Sequence, residues 1–237
     1  MQKEEKVVAT WRMFSKVKAE DCAMIVIDIQ NDFISEKGQY AKWGVDISHM
    51  VRTVKPIRKM MNFCREMNIP IIGTRFFMRG ATDGGILYKV RPALQQAGLR
   101  EGTWGADFFD ELEISPKRGD WIIDRPRLSC FFSTKLEVLL RGLNKKNLIV
   151  TGVLTNQCVE STIRDAQFRD FQVLELSDCV GTFGGTMVDP LSREKVEVRA
   201  EDLHHASLRA VAFGLGDVLT SDELIEELGG KVAGKES

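Results

Sequence analysis

The sequence predicts an α/β fold in three layers, α/β/α, built on a mostly parallel six-stranded sheet with helices on both faces. Three observations predict it. Short β-rich apolar runs alternate with helix-periodic segments at intervals of roughly 25–35 residues, the signature of strand–helix–strand units. The apolar runs are short, as in Cys22-Ala-Met-Ile-Val-Ile27, and suit strands buried on both faces. The chain has 237 residues, 43% apolar and 28% charged, which suits a single domain with a sizeable core.

The elements follow in order. Residues 1–20 carry alternating charge and no apolar core segment, so they read as an N-terminal extension and not as a secretory signal. The domain runs over residues 21–228. Its first strand is Ala23–Ile29. Asp46–Asn68 places Ile47, Met50, Val54, Ile57, Met60, Met61 and Cys64 at helical spacing, and Pro56 predicts that the helix kinks or starts late. The second strand is Ile69–Phe76. Phe77–Gly119 is Gly-rich with weak periodicity and reads as a long loop with one short helix, Asp107–Leu112. Asp120–Asp124 is the third strand, and Ser133–Gly142 a helix with Ser133 as its N-cap. Leu148–Val153 is the fourth strand, followed by a helix over Asn156–Arg169 that Thr155 or Asn156 caps. Gln172–Leu176, a helix Glu201–Phe213, a short strand Gly216–Leu219 and a helix opened by Ser221 complete the domain. Residues 229–237 read as a flexible tail.

Composition narrows the function. There are 33 basic and 34 acidic residues, a net charge of −1, so no basic footprint for nucleic acid or an anionic membrane is expected. No apolar run approaches the ~20 residues that span a bilayer. The five cysteines include no CxxC pair, which argues against a disulfide framework or a Cys-rich zinc site and suits a reducing, cytoplasmic setting. With three histidines, chemistry must be built with little imidazole.

In a parallel sheet, ligands sit beyond the carboxyl ends of the strands, near the point where strand order reverses. Three strand ends carry candidate chemistry. Asp28 interrupts the apolar first strand, where a carboxylate must find a partner or take up a proton; it either caps a turn or pairs with an arginine, or it is functional. Asp32 reads as a loop residue. Cys158, in Thr155-Asn-Gln-Cys158, falls in the first turn of a helix, where free N–H groups and the macrodipole favour a thiolate and can hold an oxyanion. The alternative is a small buried apolar residue, the reading given to Cys22, Cys64 and Cys179. Arg125 and Arg127 follow the third strand, as a salt-bridged loop or as site residues. His49, His204 and His205 read as capping, surface or packing residues. The base for a thiol nucleophile is therefore a carboxylate, Asp28.

Three segments together, Val26-Ile-Asp28-Ile-Gln-Asn-Asp-Phe33, Arg125-Pro-Arg-Leu-Ser-Cys-Phe131-Phe-Ser-Thr134 and Thr151-Gly-Val-Leu-Thr155-Asn-Gln-Cys158-Val159, resemble the isochorismatase-like cysteine hydrolases over roughly residues 20–225. The middle segment and Gly102-Thr-Trp104-Gly are most similar to the ureidoacrylate and biuret amidohydrolases. The resemblance implies a Rossmann-like α/β/α fold, a homo-oligomer (dimer or tetramer), and an Asp–Lys–Cys triad that cleaves amide or ureide C–N bonds through a thioester. By position, Asp28 is the base and Cys158 the nucleophile. The cis peptide maps to Leu154–Thr155 and the oxyanion hole to Leu154, Thr155 and Cys158. The family lysine falls on Arg125, a departure, because a guanidinium keeps its proton.

The region after the second strand, Thr74-Arg-Phe-Phe-Met-Arg-Gly80, lacks the histidine that the metal-binding nicotinamidase branch carries, so neither metal nor other cofactor is expected. Gln30, Phe33, Trp104, Arg127 and Phe131 are the candidate substrate contacts, and Arg75 and Arg79 would suit an anionic substrate. Phe183–Asp202 contains an insertion, Val188–Val196, read as a hairpin or arm. The expected function is hydrolysis of a small-molecule amide or ureide. The rival readings are a catalytically altered binding protein, suggested by Arg125, and vinyl-ether hydrolysis with Asp28 as the acid.

Overall fold

The computed structural model describes residue 12 and residues 16–232. The strands are β1 (Cys22–Ile27), β2 (Ile71–Phe76), β3 (Trp121–Arg125), β4 (Asn147–Val153), β5 (Gln172–Gly181), β6 (Gly185–Val188), β7 (Lys195–Val198) and β8 (Asp217–Leu219). The helices are α1 (Asn31–Ile34), α2 (Gln39–Lys42), α3 (Ser48–Val51), α4 (Val54–Glu66), α5 (Ala81–Val90), α6 (Pro92–Gln96), α7 (Leu136–Gly142), α8 (Glu160–Gln167), α9 (Ala200–Gly214) and α10 (Ser221–Glu227).

Six strands form one sheet in the order β3-β2-β1-β4-β5-β8, every neighbouring pair parallel. The chain winds outward from β1 to β3, returns to the centre at β4 and winds outward the other way. The switch point lies between β1 and β4.

β1 is fully buried because it is central and both its faces are covered. Its alternation divides the core. Cys22, Met24 and Val26 point to one cluster with Ile57, Met60 and Met61 of α4. Ala23, Ile25 and Ile27 point to the other, with Leu136 and Leu140 of α7, Ile163 of α8 and Val211 of α9. The apolar stripe of α4 is the predicted one. Pro56 falls in the first turn of that helix, where amides lack intrahelical acceptors, so no kink is needed.

Several expectations shift. The presumed loop Phe77–Gly119 contains α5 and α6, and the expected helix 107–112 is a single 3-10 turn, Asp110–Leu112. The helical period of α5 is hidden because Gly85 breaks it with a left-handed φ of 56°. Ser133 is no cap: it takes a left-handed φ of 55°, and α7 begins at Leu136, whose N–H donates to Thr134 Oγ1 at 3.2 Å. α10 is capped by Thr220 with Glu223, while Ser221 donates from N and Oγ to Asp178 at 2.7 and 2.6 Å. β5 runs five residues beyond the predicted end. The insertion forms the antiparallel hairpin β6–β7, and Leu191 at its turn is 90% exposed.

The expected extension and tail lie partly outside the described residues. Within them, Val17 joins the core, Arg12 pairs with Glu227, and Gly230 packs against Phe63 and Ile225. Among the described residues, no helix is long and apolar enough to cross a membrane.

Candidate active site

The site forms where β1, β3 and β4 end. β1 stops at Ile27, two residues short of the expected end, because Asp28 turns into the left-handed region with φ 54°. The Asp28 N–H donates to the Thr74 carbonyl on the neighbouring strand at 3.1 Å. This turn places the carboxylate beyond the sheet, sealed from solvent.

Beside it, β4 makes its own exit. Gly152 has φ 116°, and a Cβ there would lie 2.0 Å from the Ile27 carbonyl oxygen, so only glycine fits. The β4–β5 register shifts between Val150 and Gly152. The chain then enters a π-helical turn, Thr155–Val159, which carries Cys158 and leads into α8. π-Turns occur preferentially at functional sites. The cis peptide bond is Val153–Leu154, one residue earlier than expected.

β3 delivers Arg125, which is 1% exposed. Its guanidinium forms an ion pair with Asp28, donates from Nε to Cys130 Sγ at 3.2 Å and donates to the Arg127 carbonyl. Thr74 Oγ1 donates to the other Asp28 oxygen at 2.9 Å. Burial pushes the Asp28 carboxyl up from its usual range, and the Arg125 charge with hydrogen bonds from Cys158, Thr74 and Arg125 works against it. Burial and the Asp28 charge push the Cys158 thiol up, with Arg125 opposing. Both effects favour the protonated thiol, against the macrodipole of the helix start. The loss of hydration outweighs the macrodipole in a fully enclosed group.

Cys158 opens onto a cavity of about 190 Å³. Its wall is aromatic, with Phe33, Tyr40, Trp43, Phe76 and Phe183, and aliphatic, with Leu87, Leu94, Leu128 and Leu154. Gln157 and Arg91 add the polar groups besides Cys158.

Of the predicted substrate contacts, only Phe33 lines this cavity. Gln30 is consumed by backbone: its Nε2 donates to the Phe76 and Ala106 carbonyls at 3.0 and 2.7 Å, and its Oε1 accepts from Phe76 N at 2.8 Å. It pins the loops and has no group left for a ligand. Trp104 is 49% exposed and stands outside the wall. Arg127 donates to the Asp83 and Pro126 carbonyls, tying down α5. Phe131 stacks on Phe171 at 5.8 Å in the core of the opposite layer. Arg75 is taken up by Asp124 and Asp107, and Arg79 by Glu101. Of the expected oxyanion-hole residues, Leu154 and Cys158 line the cavity, and Thr155 is buried beside them.

The supporting shell was less visible in the sequence. Asp32 is a buried clasp, accepting from Gln39 N at 2.9 Å and Leu99 N at 2.6 Å. The π-turn is held from α9: Thr155 Oγ1 meets His204 Nδ1 at 3.1 Å, and Ser207 Oγ contacts the Thr155 carbonyl and Glu160 at 3.2 and 2.7 Å. His204 packs edge-on against His49, and burial lowers its pKa to about 4, so it is a neutral packing group. Cys130 and Thr74 were not singled out from sequence, because only the strand pairing brings them to Arg125 and Asp28.

Fold and site together define a three-layer α/β protein with an enclosed thiol–carboxylate–guanidinium centre at the switch point of its sheet. The isochorismatase domain model matches residues 22–223, and the chain belongs to the isochorismatase-like hydrolase family. It is similar to the ureidoacrylate amidohydrolase RutB of Serratia proteamaculans, 33% identical over 182 residues that cover 70% of this chain and 71% of that protein. RutB of Pantoea ananatis is 32% identical over 198 residues, covering 76% and 77%. Among solved structures, a cysteine hydrolase from Pseudomonas syringae pv. phaseolicola superimposes with a TM-score of 0.80 at 28% identity, covering 94% of this chain and 97% of that one. N-carbamoylsarcosine amidase from Thermoplasma acidophilum shares the fold, with a TM-score of 0.63 at 21% identity over 90% of this chain and 99% of that one.

Proposed function

We propose that this protein hydrolyses a C–N bond, amide or ureide, in a small molecule through a thioester on Cys158. The observation that carries the reading is the buried Asp28–Arg125 pair set against the one cysteine that opens into the cavity. Its relatives named as amidohydrolases support the bond type.

Asp28 takes the Cys158 proton as the substrate displaces water. The sulfur attacks the carbonyl carbon, and the oxyanion is received by backbone N–H groups of the Leu154–Cys158 turn. Collapse of the intermediate breaks the C–N bond, and Asp28 returns the proton to the leaving nitrogen. A water then gives its proton to Asp28 and attacks the thioester, releasing the acid and restoring the thiol. Arg125 stays protonated throughout. It supplies the fixed charge that keeps Asp28 able to ionise and that stabilises the developing thiolate, the part a lysine plays in the family pattern. No metal or other cofactor enters this scheme. The protein would work as a homo-oligomer, as the family resemblance implies, in the reducing, cytoplasmic setting that its cysteine pattern suits.

Mass spectrometry of the enzyme mixed with ureido and amide substrates tests the reading. The expected result is an acyl adduct on Cys158 in the wild type and loss of turnover in Cys158→Ala. Equal turnover by that variant would sink the covalent mechanism.

A further inference from the structure

Among the described residues, the cavity wall contains one charged side chain, Arg91, at the junction of α5 and α6. Every other arginine near the site is engaged: Arg125 with Asp28, Arg75 with Asp124 and Asp107, Arg79 with Glu101, Arg100 with the Leu94 carbonyl, and Arg127 with the Asp83 carbonyl. Among the described residues, the Arg91 guanidinium makes no hydrogen bond or ion pair. Its charge works against the burial that pushes the Tyr40 hydroxyl up. Asp28 and Arg125 are paired with one another, so Arg91 is the charge on the wall that a ligand can pair with.

Arg91 stands exposed at the wall, so an apolar ligand gains nothing from its charge. A ligand that brings its own carboxylate gains a bidentate, charge-assisted contact there. The rest of the wall asks for a different chemistry. Five aromatic side chains offer stacking surface, and Gln157 is the one neutral amide. A short polar ureido acid would leave this surface unused.

We propose that Arg91 determines specificity by holding the carboxylate of the substrate, which is an amide or ureide on an apolar, preferably aromatic, body with the anionic group remote from the scissile bond. This deepens the hydrolase reading above and rests on it for the position of the scissile carbonyl.

The test uses a short series of carboxyphenyl-alkanamides and their methyl esters. The expected result is that wild type favours the acid of the best-fitting pair by about tenfold or more in kcat/KM, the size of one charge-assisted contact. In Arg91→Gln the acid-to-ester ratio falls to about one through a rise in KM, and Arg91→Lys restores part of it. Arg79→Gln, whose charge is already paired outside the cavity, keeps the wild-type ratio. An unchanged ratio in Arg91→Gln overturns the proposal. Calorimetric titration of phenylpropionate and phenylpropionamide separates the two readings. If no amide is turned over, the hydrolase reading fails. Arg91 is then judged by whether the acid binds wild type at least about tenfold more tightly than Arg91→Gln, with equal binding overturning it.

Discussion

Arg125 at the end of β3 reaches past β2 to pair with Asp28 at the end of β1, and both side chains are sealed from solvent. The pair ties β3 to β1 across β2, beside the switch point between β1 and β4. It is also what makes a buried carboxylate tolerable in the centre of the molecule.

Removing one partner should therefore cost more than removing both. Arg125→Met leaves Asp28 buried and uncompensated, and should destabilise the fold by about 3–5 kcal/mol in urea unfolding. The double variant with Asp28→Asn should recover most of that loss. Arg125→Lys should keep measurable turnover, while Arg125→Met should lose about a thousandfold or more.

Thr74 gives Asp28 a hydrogen bond at 2.9 Å that favours the ionised carboxylate. A base works only above its pKa, so the acid limb of the kcat/KM profile should lie above the usual carboxylate value. Thr74→Val should move that limb up by about one pH unit, with the alkaline side unmoved. An identical limb in both proteins would mean that Asp28 is not the titrating base.

Glu175 in β5 is fully buried, and among the described residues neither carboxylate oxygen has a hydrogen-bond partner. Burial raises its pKa from 4.5 to about 8, with the nearby Glu160 adding to it. The folded state thus binds the proton more tightly than the unfolded chain. Stability is full below pH 4.5 from this group and is lost as pH rises through about 8. Glu175→Gln should flatten that loss and be more stable than wild type at alkaline pH by at least about 1 kcal/mol in urea unfolding.

His204 has the opposite sign. Its pKa falls from 6.5 to about 4, so its contribution is present above pH 6.5 and lost as pH drops toward 4. His204→Gln, which can still reach Thr155, should soften acid unfolding in that window. His204→Ala should instead free the π-turn and lower kcat more than KM rises, measured on the same substrate.

Much of the site was legible because its residues break local patterns. Asp28 interrupts an apolar strand, Cys158 follows a strand at a helix start, and Arg125 follows a strand end where the family resemblance puts a lysine. The first two stand out within a single segment; the third needed the resemblance. The pocket wall was not legible in the same way. Gln30 stands two residues from Asp28 and Trp104 in a motif like that of the amidohydrolases, yet Gln30 turns into the backbone of two loops and Trp104 is 49% exposed. Tyr40, Arg91 and Phe183 come from three distant segments and meet only through the clasp of Asp32 and the packing of α5 and α6.

The sequence by itself determined the parallel α/β architecture and pointed to the three strand ends that meet in the candidate site, because hydrophobic periodicity and its interruptions are local properties. The tertiary structure decided which of the charges are free. Burial, strand order and loop closure neutralise Arg125 with Asp28, spend Gln30 and Arg127 on backbone, and leave Arg91 alone facing the cavity. Pairing energies depend on partners far apart in the chain, and no spacing along one segment records them.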